Sequence, residues 1–404
     1  MIKLILDGAL FSESEMLSTN RNGMIRIAEE VLHTMIRYEE LDIAFANTIY
    51  SKNYDSGLRS YLNREYPAYR GKIVSSTPVF SSSISGLNRM TRELSKLLSM
   101  QVKGTAELQG DIFHSFYYPF NKNISSNPRI KKSITLLDII PLRFPGYDKS
   151  LIEMTKQVVE SIVSNYAVSI SEFSRQDLLD YDKRINPERV FVAPLAASEK
   201  LFFQNTDRED WTRVRQKYGL PEKYFLSVSS TDIRKNLPHV ITCFNRFVLQ
   251  EKPKDLYLVL TGNSLYSHSI LDTLNIERSV REKIIITKTY IENNDLSVVY
   301  SNALSFFFMS LYEGFGLPVL EAMQCGVPVV TSNVSSMPEV AGNAAILINP
   351  KDENALSSTM TAICNDGSLR TKYSSLGLTR AKEFSWERCA QEYVEIFKKI
   401  ASNG

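Results

Sequence analysis

Short apolar runs alternate with longer segments of helical periodicity along the whole chain. Runs of this kind read as strands buried on both faces, and therefore parallel. In the first half the pattern predicts strands over 2–6, 42–46, 112–115, 133–137, 166–170 and 190–192. Helical spacing is present over 24–38, 149–164 and 174–181. A polar, irregular stretch over 194–210 reads as a linker. A second series follows, with strands over 225–228, 256–260, 283–286, 304–308, 328–330 and 345–348. Its helices are predicted over 237–250, 297–302, 318–325, 353–365 and 369–383. Such alternation predicts an α/β protein with two doubly wound parallel sheets. Sheets of this type bind ligands outside the C-terminal ends of their strands, so a central cleft between the two is expected there.

Composition narrows this picture without changing it. A chain of 404 residues with 43% hydrophobic residues is long enough for two domains with sizeable cores. A formal net charge of +2 gives no reason to expect nucleic acid as a partner. Cys243, Cys325, Cys364 and Cys389 show no CxxC pairing and read as reduced thiols. His33, His114, His239 and His268 have no metal-ligand spacing, and no metal is expected. The N-terminal apolar run is broken at Asp7, so it reads as a first strand and not as a signal peptide. No apolar stretch is long enough to span a bilayer. A cytoplasmic protein is expected.

The most informative segment is SFFFMSLYEGFGLPVLEAMQCGVPVV, residues 305–330. A buried-strand pattern leads into a loop with one acid and two glycines, Glu313-Gly314-Phe315-Gly316. Leu317 and Pro318 then open a helix, and Gly326 ends it. A glycine loop entering a helix N-terminus is an anion site, because backbone N–H groups and the helix dipole both favour negative charge. Glu313 and Glu321 flank this cradle. Carboxylates repel phosphate and suit hydroxyls. Phosphate and hydroxyls together suggest a nucleotide sugar.

The pattern E-G-F-G-L-P-x-x-E resembles the signature of retaining glycosyltransferases of family 4, which have the GT-B fold. Further segments are similar to that family in the same order. They are Asn22-Gly23, TLLDIIPLRFP (135–145), SEFSRQDLL (171–179), SSTDIRKNL (229–237), LVLTGN (258–263), SSMPEVAGNAA (335–345) and FSW (384–386). The resemblance implies an acceptor-side domain over 1–196 plus 385–404 and a donor domain over 197–384. It also implies that the last helix, within 384–400, crosses back to the first domain.

By the same resemblance, Arg234 and Lys235 meet the donor diphosphate and stabilise charge on the departing nucleotide. Glu313 contacts sugar hydroxyls near the reacting carbon, and Glu321 the ribose. Ser229, Thr261, Gly262, Tyr290 and Ile291 surround the nucleotide. Gly314, Phe315, Gly316 and Leu317 form the phosphate loop. Asn22 and Gly23 precede a helix whose N-terminus is expected to face the donor phosphates. With two cations and a helix N-terminus at the diphosphate, neither metal nor other cofactor is expected.

Leu137-Asp138 departs from the family, which has His-Asp there. Leucine cannot act as a base, but a leaving phosphate can itself accept the acceptor's proton. Asp138 is the remaining catalytic candidate at that strand end. His114 ends another strand and is an acceptor-side candidate with Leu137.

The segment 52–103 carries nine Lys/Arg and three Asp/Glu. Within it, residues 86–104 have the spacing of a basic amphipathic helix, which suits an anionic membrane surface as well as a solvated surface helix. The expected function is transfer of a sugar from a nucleoside diphosphate to a glycan or lipid-linked acceptor in bacterial surface polysaccharide synthesis. DIIPLRFP is similar to bacterial mannosyltransferases and favours GDP-mannose. The alternatives are a glycosyltransferase-like binding partner with weakened catalysis, or a nucleotide-sugar epimerase on the same fold. The inner face of the membrane is the expected peripheral location.

Overall fold

The computed structural model describes residues 1–16, 23–47, 49, 52–75, 108–230, 232–262 and 264–403. The chain divides into two compact units. The first holds Met1–Ile170, Ser174–Ala193 and Trp386–Gly404. The second holds Ser171–Phe173 and Pro194–Ser385.

Seven parallel strands form the sheet of the first unit. They are β1 (Ile2–Asp7), β2 (Leu41–Ala46), β3 (Ile73–Ser75), β4 (Ile112–Ser115), β5 (Lys131–Leu136), β6 (Tyr166–Ser169) and β7 (Val190–Val192). Their order is β3-β2-β1-β4-β5-β6-β7. Leu4, Ile5 and Leu6 of the central strand β1 are buried, which is why this run is apolar on both faces.

The Trp386–Ser402 helix belongs to this unit. It buries Cys389, Tyr393, Val394, Phe397 and Ile400 on one face. Tyr393 shares a hydrogen bond of 2.8 Å with Thr135 of β5. The Lys131 ammonium donates to the carbonyls of Ile400 and Ala401, at 2.9 and 3.0 Å. A cation there satisfies terminal carbonyls and suits the helix dipole.

The second unit carries β8 (Tyr224–Ser229), β9 (Tyr257–Gly262), β10 (Ile284–Ile286), β11 (Ser305–Phe308), β12 (Val329–Ser332) and β13 (Ile346–Ile348). Their order is β10-β9-β8-β11-β12-β13, again parallel. The chain winds outward from β8 through β9 to β10, then returns to place β11 on the other side of β8. The loops after β8 and β11 therefore diverge at a topological switch point. Phe225, Phe244, Phe247 and Phe307 pack in one cluster beneath it.

Several elements differ from the pattern-based expectation. The linker stretch contains the start of the Arg208–Tyr218 helix, capped by Asp207, whose carboxylate accepts from Glu209 and Asp210 N–H groups. The Ala9–Met16 helix has no apolar stripe because it buries Ser12 and Ser14. Ser12 is satisfied there by the carbonyls of Gly8 and Tyr54, at 2.9 and 2.8 Å. The Lys52–Glu65 helix and the edge strand β3 were also without a clear period.

Phe307 is fully buried, with its ring 4.9 Å from that of Phe225. Phe307→Ala is expected to destabilise the second unit by about 3–5 kcal/mol. Denaturant unfolding followed by tryptophan fluorescence of Trp211, which lies in that unit, checks this.

Candidate donor site

The sequence SSTDIRKNL turns sharply after β8. Asp232 caps a short 3-10 turn, Ile233–Lys235, by accepting from the Arg234 N–H at 3.1 Å. Asn236 leaves the turn in the left-handed region at φ 58°, which asparagine tolerates. Its side-chain amide donates to the carbonyls of Met309 and Pro350, at 3.1 and 2.8 Å. The Leu311 N–H donates to the Arg234 carbonyl at 2.7 Å, joining the loops after β8 and β11 directly.

Both basic side chains converge on Glu313. Arg234 Nη1 lies 2.5 Å from one carboxylate oxygen, and Lys235 Nζ 2.5 Å from the other. Ser310 Oγ donates to Glu313 at 2.8 Å. Arg234 Nε also pairs with Asp232 at 2.7 Å, and its Nη1 reaches the Tyr312 carbonyl at 2.9 Å. Lys235 Nζ sits 4.8 Å above the Phe308 ring. Glu313 is 6% exposed. Burial pushes its carboxyl up, but Lys235 and Arg234 outweigh that and hold it below its ordinary value.

The Glu313 backbone is clasped from the loop after β12. Its N–H donates to Ser335 Oγ at 3.1 Å. Ser336 Oγ lies 2.9 Å from the Glu313 carbonyl and 2.7 Å from that of Phe315. Ser335 sits at φ 55°, a conformation that costs a non-glycine residue free energy and that this clasp offsets. Gly316 begins the Leu317–Gln324 helix at φ 111°, and a Cβ there would collide with Met337 Cε. Gly314 and Phe315 are buried, and Phe315 packs edge-on against Phe384. Glu321 is half-buried on the helix.

The remaining donor-side candidates align along the same strand ends. Ser229 pairs in register with Gly262, and Val228 with Thr261. Tyr290 and Ile291 follow β10; Tyr290 is 73% exposed and Ile291 half-buried. Gly23 begins the Gly23–Met35 helix of the first unit, and among the described residues nothing lies within 4 Å of a Cβ placed on it. Asn22 lies outside the described residues.

The acceptor-side candidates have different surroundings. His114 is fully buried, so the expectation that it faces an acceptor is corrected. Its ring nitrogens are taken up by Ser133 and Thr135, at 3.2 and 3.0 Å. Phe116 and Phe397 pack edge-on around it. Burial pulls its pKa down to about 3, so it is neutral at pH 7. Asp138 Oδ1 accepts from the Ile140 N–H at 3.0 Å and opens the short Ile140–Arg143 helix. Leu137 is half-buried, and its carbonyl accepts from Ser174 at 3.3 Å. Thus Glu313, Arg234 and Lys235 are brought together, whereas His114 and Asp138 have structural partners in the other unit.

Sequence reasoning missed Asp232, Ser310, Ser335 and Ser336. Ser335 and Ser336 carry no spacing rule of their own, since their bonds go to backbone of a distant loop, while Ser310 bonds the nearby Glu313 carboxylate. In the basic segment, three cations of the described portion are paired with carboxylates. Arg59 bonds Asp55, Arg64 bonds Glu15 and Glu65, and Lys72 bonds Asp42. The amphipathic stretch 86–104 lies outside the described residues. Among those described, no helix is long and apolar enough to cross a membrane, and no cluster of three metal-ligating side chains occurs.

Two parallel doubly wound sheets, with a glycine-bearing loop and paired cations at one switch point, define a glycosyltransferase of the GT-B fold. Residues 210–378 match the family described as glycosyl transferases group 1. O-antigen chain mannosyltransferase B of Escherichia coli is 32% identical over 298 residues, covering 72% of this chain and 74% of that protein. O-antigen chain mannosyltransferase RfbU of Salmonella typhimurium is 25% identical over 242 residues, covering 57% of this chain and 60% of that protein. The crystal structure of Anabaena HepE in complex with UDP and glucose superposes with a TM-score of 0.67. Its sequence identity is 14%, and the match covers 99% of this chain and 100% of that one. The chain belongs to the group 1 glycosyltransferases.

Two outcomes follow from this geometry. Gly316→Ala forces a side chain into the left-handed region against Met337, and is expected to cost at least about 1–2 kcal/mol. A thermal melt reads it. His114 has a folded pKa below its unfolded one, so its contribution is present above about pH 6.5 and is lost as pH falls towards about 3. Stability of the first unit should decline over that window by up to about 1.4 kcal/mol per pH unit. His114→Gln should flatten the decline in urea titrations at several pH values.

Proposed function

We propose that the chain transfers mannose from GDP-mannose to a hydroxyl of a growing surface polysaccharide or its lipid-linked precursor. The anomeric configuration is retained and no metal takes part. The observation that carries this reading is the convergence of Arg234, Lys235 and Glu313 at the β8/β11 switch point. Two cations on one turn, beside the Gly316 helix N-terminus, suit a diphosphate and supply the charge that a metal would otherwise bring. The mannose assignment is supported by the two O-antigen mannosyltransferases to which the chain is similar.

The donor's diphosphate binds across Arg234 and Lys235, with its nucleoside along Thr261, Gly262, Tyr290 and Ile291. As the bond from the anomeric carbon to the β-phosphate oxygen breaks, negative charge builds on that oxygen. Both cations stabilise it more in the transition state than in the ground state. The acceptor hydroxyl attacks from the same face, and its proton passes to the departing phosphate. No side-chain base is needed at Leu137. Asp138 supports the adjoining turn. The basic segment 52–103 brings the protein to an anionic membrane surface where a lipid-linked acceptor resides.

The test combines the purified chain with GDP-mannose and a mannose-terminated acceptor, with and without EDTA. An α-linked product, identified by NMR and formed equally in both conditions, is expected. A β-linked product overturns retention, and loss of turnover in EDTA overturns metal independence. Formation of an epimer from donor alone favours the epimerase alternative. Lys235→Met keeps the stem over Phe308 and removes the charge. It should weaken GDP binding on the order of tenfold or more, since a charge-assisted hydrogen bond contributes about 1.5–3 kcal/mol. Guanosine binding should be unchanged; equal loss of both would place Lys235 away from the phosphates.

A further inference from the structure

We propose that Glu313 takes up a proton from solvent when the donor diphosphate draws Arg234 and Lys235 away from it. This rests on the donor-site reading above. It assigns Glu313 a role in each binding cycle, as the counter-ion that holds the cations and then becomes a neutral hydrogen-bond donor.

The argument begins with charge balance. Arg234 and Lys235 are matched by Asp232 and Glu313, two cations against two carboxylates. Each oxygen of Glu313 is committed to one cation at 2.5 Å, and Ser310 adds a hydrogen bond. At 6% exposure, solvent cannot take the place of those partners. A diphosphate bound to the same cations adds two negative charges to a balanced cluster. The cations' donors then turn to phosphate oxygens, and an ionised Glu313 would be both buried and beside like charge. Both effects favour the neutral acid.

The described elements around Glu313 point the same way. The turn after β8 presents Lys235 and Arg234, with Asp232 bonded behind Arg234. The end of β11 presents the Ser310 hydroxyl. The loop after β12 presents Ser335 and Ser336, which bond the Glu313 backbone. The Leu317–Gln324 helix carries one acid, Glu321. None of these can replace the two cations as a counter-charge. A protonated Glu313 keeps one O–H, which it can donate to a sugar hydroxyl or a phosphate oxygen.

Calorimetric titration of the full chain with GDP-mannose, and separately with UDP-glucose, tests this. Each titration is run in buffers of different ionisation enthalpy. The phosphates of a sugar nucleotide are diesters and lack the second ionisation of a terminal phosphate, so proton exchange reports the protein. Wild type should take up as much as one proton per donor bound. Kd should rise with pH by as much as about tenfold per unit while uptake lasts. Glu313→Gln should bind donor with no proton uptake and little pH dependence. If that variant does not fold, Lys235→Met should show reduced uptake, because Glu313 then starts with one cation fewer. Donor binding without proton uptake from about pH 5 to 8, a range well above the ordinary carboxylate value, overturns the inference and leaves the donor site standing. Uptake undiminished in Glu313→Gln also overturns it. Failure of both sugar nucleotides to bind overturns the donor-site reading itself.

Discussion

The second unit is organised around a charge that cannot face water. A carboxylate as buried as Glu313 stays ionised only where cations compensate its lost hydration. Arg234 and Lys235 do so, and they reach it because doubly wound strand order places the loops after β8 and β11 side by side. The backbone bond from Leu311 to Arg234 then holds the two loops at that spacing. The aromatic cluster beneath makes the strand ends a rigid base. Removing Glu313 would take from Arg234 and Lys235 the carboxylate that they share, so it is the member the cluster can least spare.

The serine clasp shows how such a site is kept in shape. Glu313 meets the cations with its side chain and is held in position by its backbone. Ser335 and Ser336 bind the backbone and leave the carboxylate for the cations. Gly316 allows the turn that starts the helix, and Met337 fills the space where a Cβ would project. The left-handed conformation of Ser335 is held by the same contacts. A strained residue next to a candidate binding loop is consistent with strain concentrating where geometry matters for function.

In the first unit, comparable polar groups serve folding. The His114 ring is enclosed by Phe116, Tyr393 and Phe397, and its nitrogens are satisfied by hydroxyls on β5. Thr135 joins His114 to Tyr393 and so ties the C-terminal helix to the sheet. Histidine at the end of a parallel strand therefore has a packing explanation here, without chemistry.

The sequence by itself determined the parallel strands, since short apolar runs that alternate with helical segments are buried on both faces by those helices. It also determined the glycine loop before the Leu317–Gln324 helix, because glycines at a helix N-terminus carry their geometry locally. It marked Glu313, Arg234 and Lys235 as chemical groups. It did not show that they bond one another, because the partners lie far apart in the chain and only sheet order brings them together. Helices that bury serine, such as Ala9–Met16, were hidden for a related reason: their polar groups are satisfied by distant backbone. The fate of His114 and Asp138 was likewise decided by tertiary structure. A strand end offers a histidine or aspartate the same local setting whether it faces a ligand or a helix, and packing alone settles which.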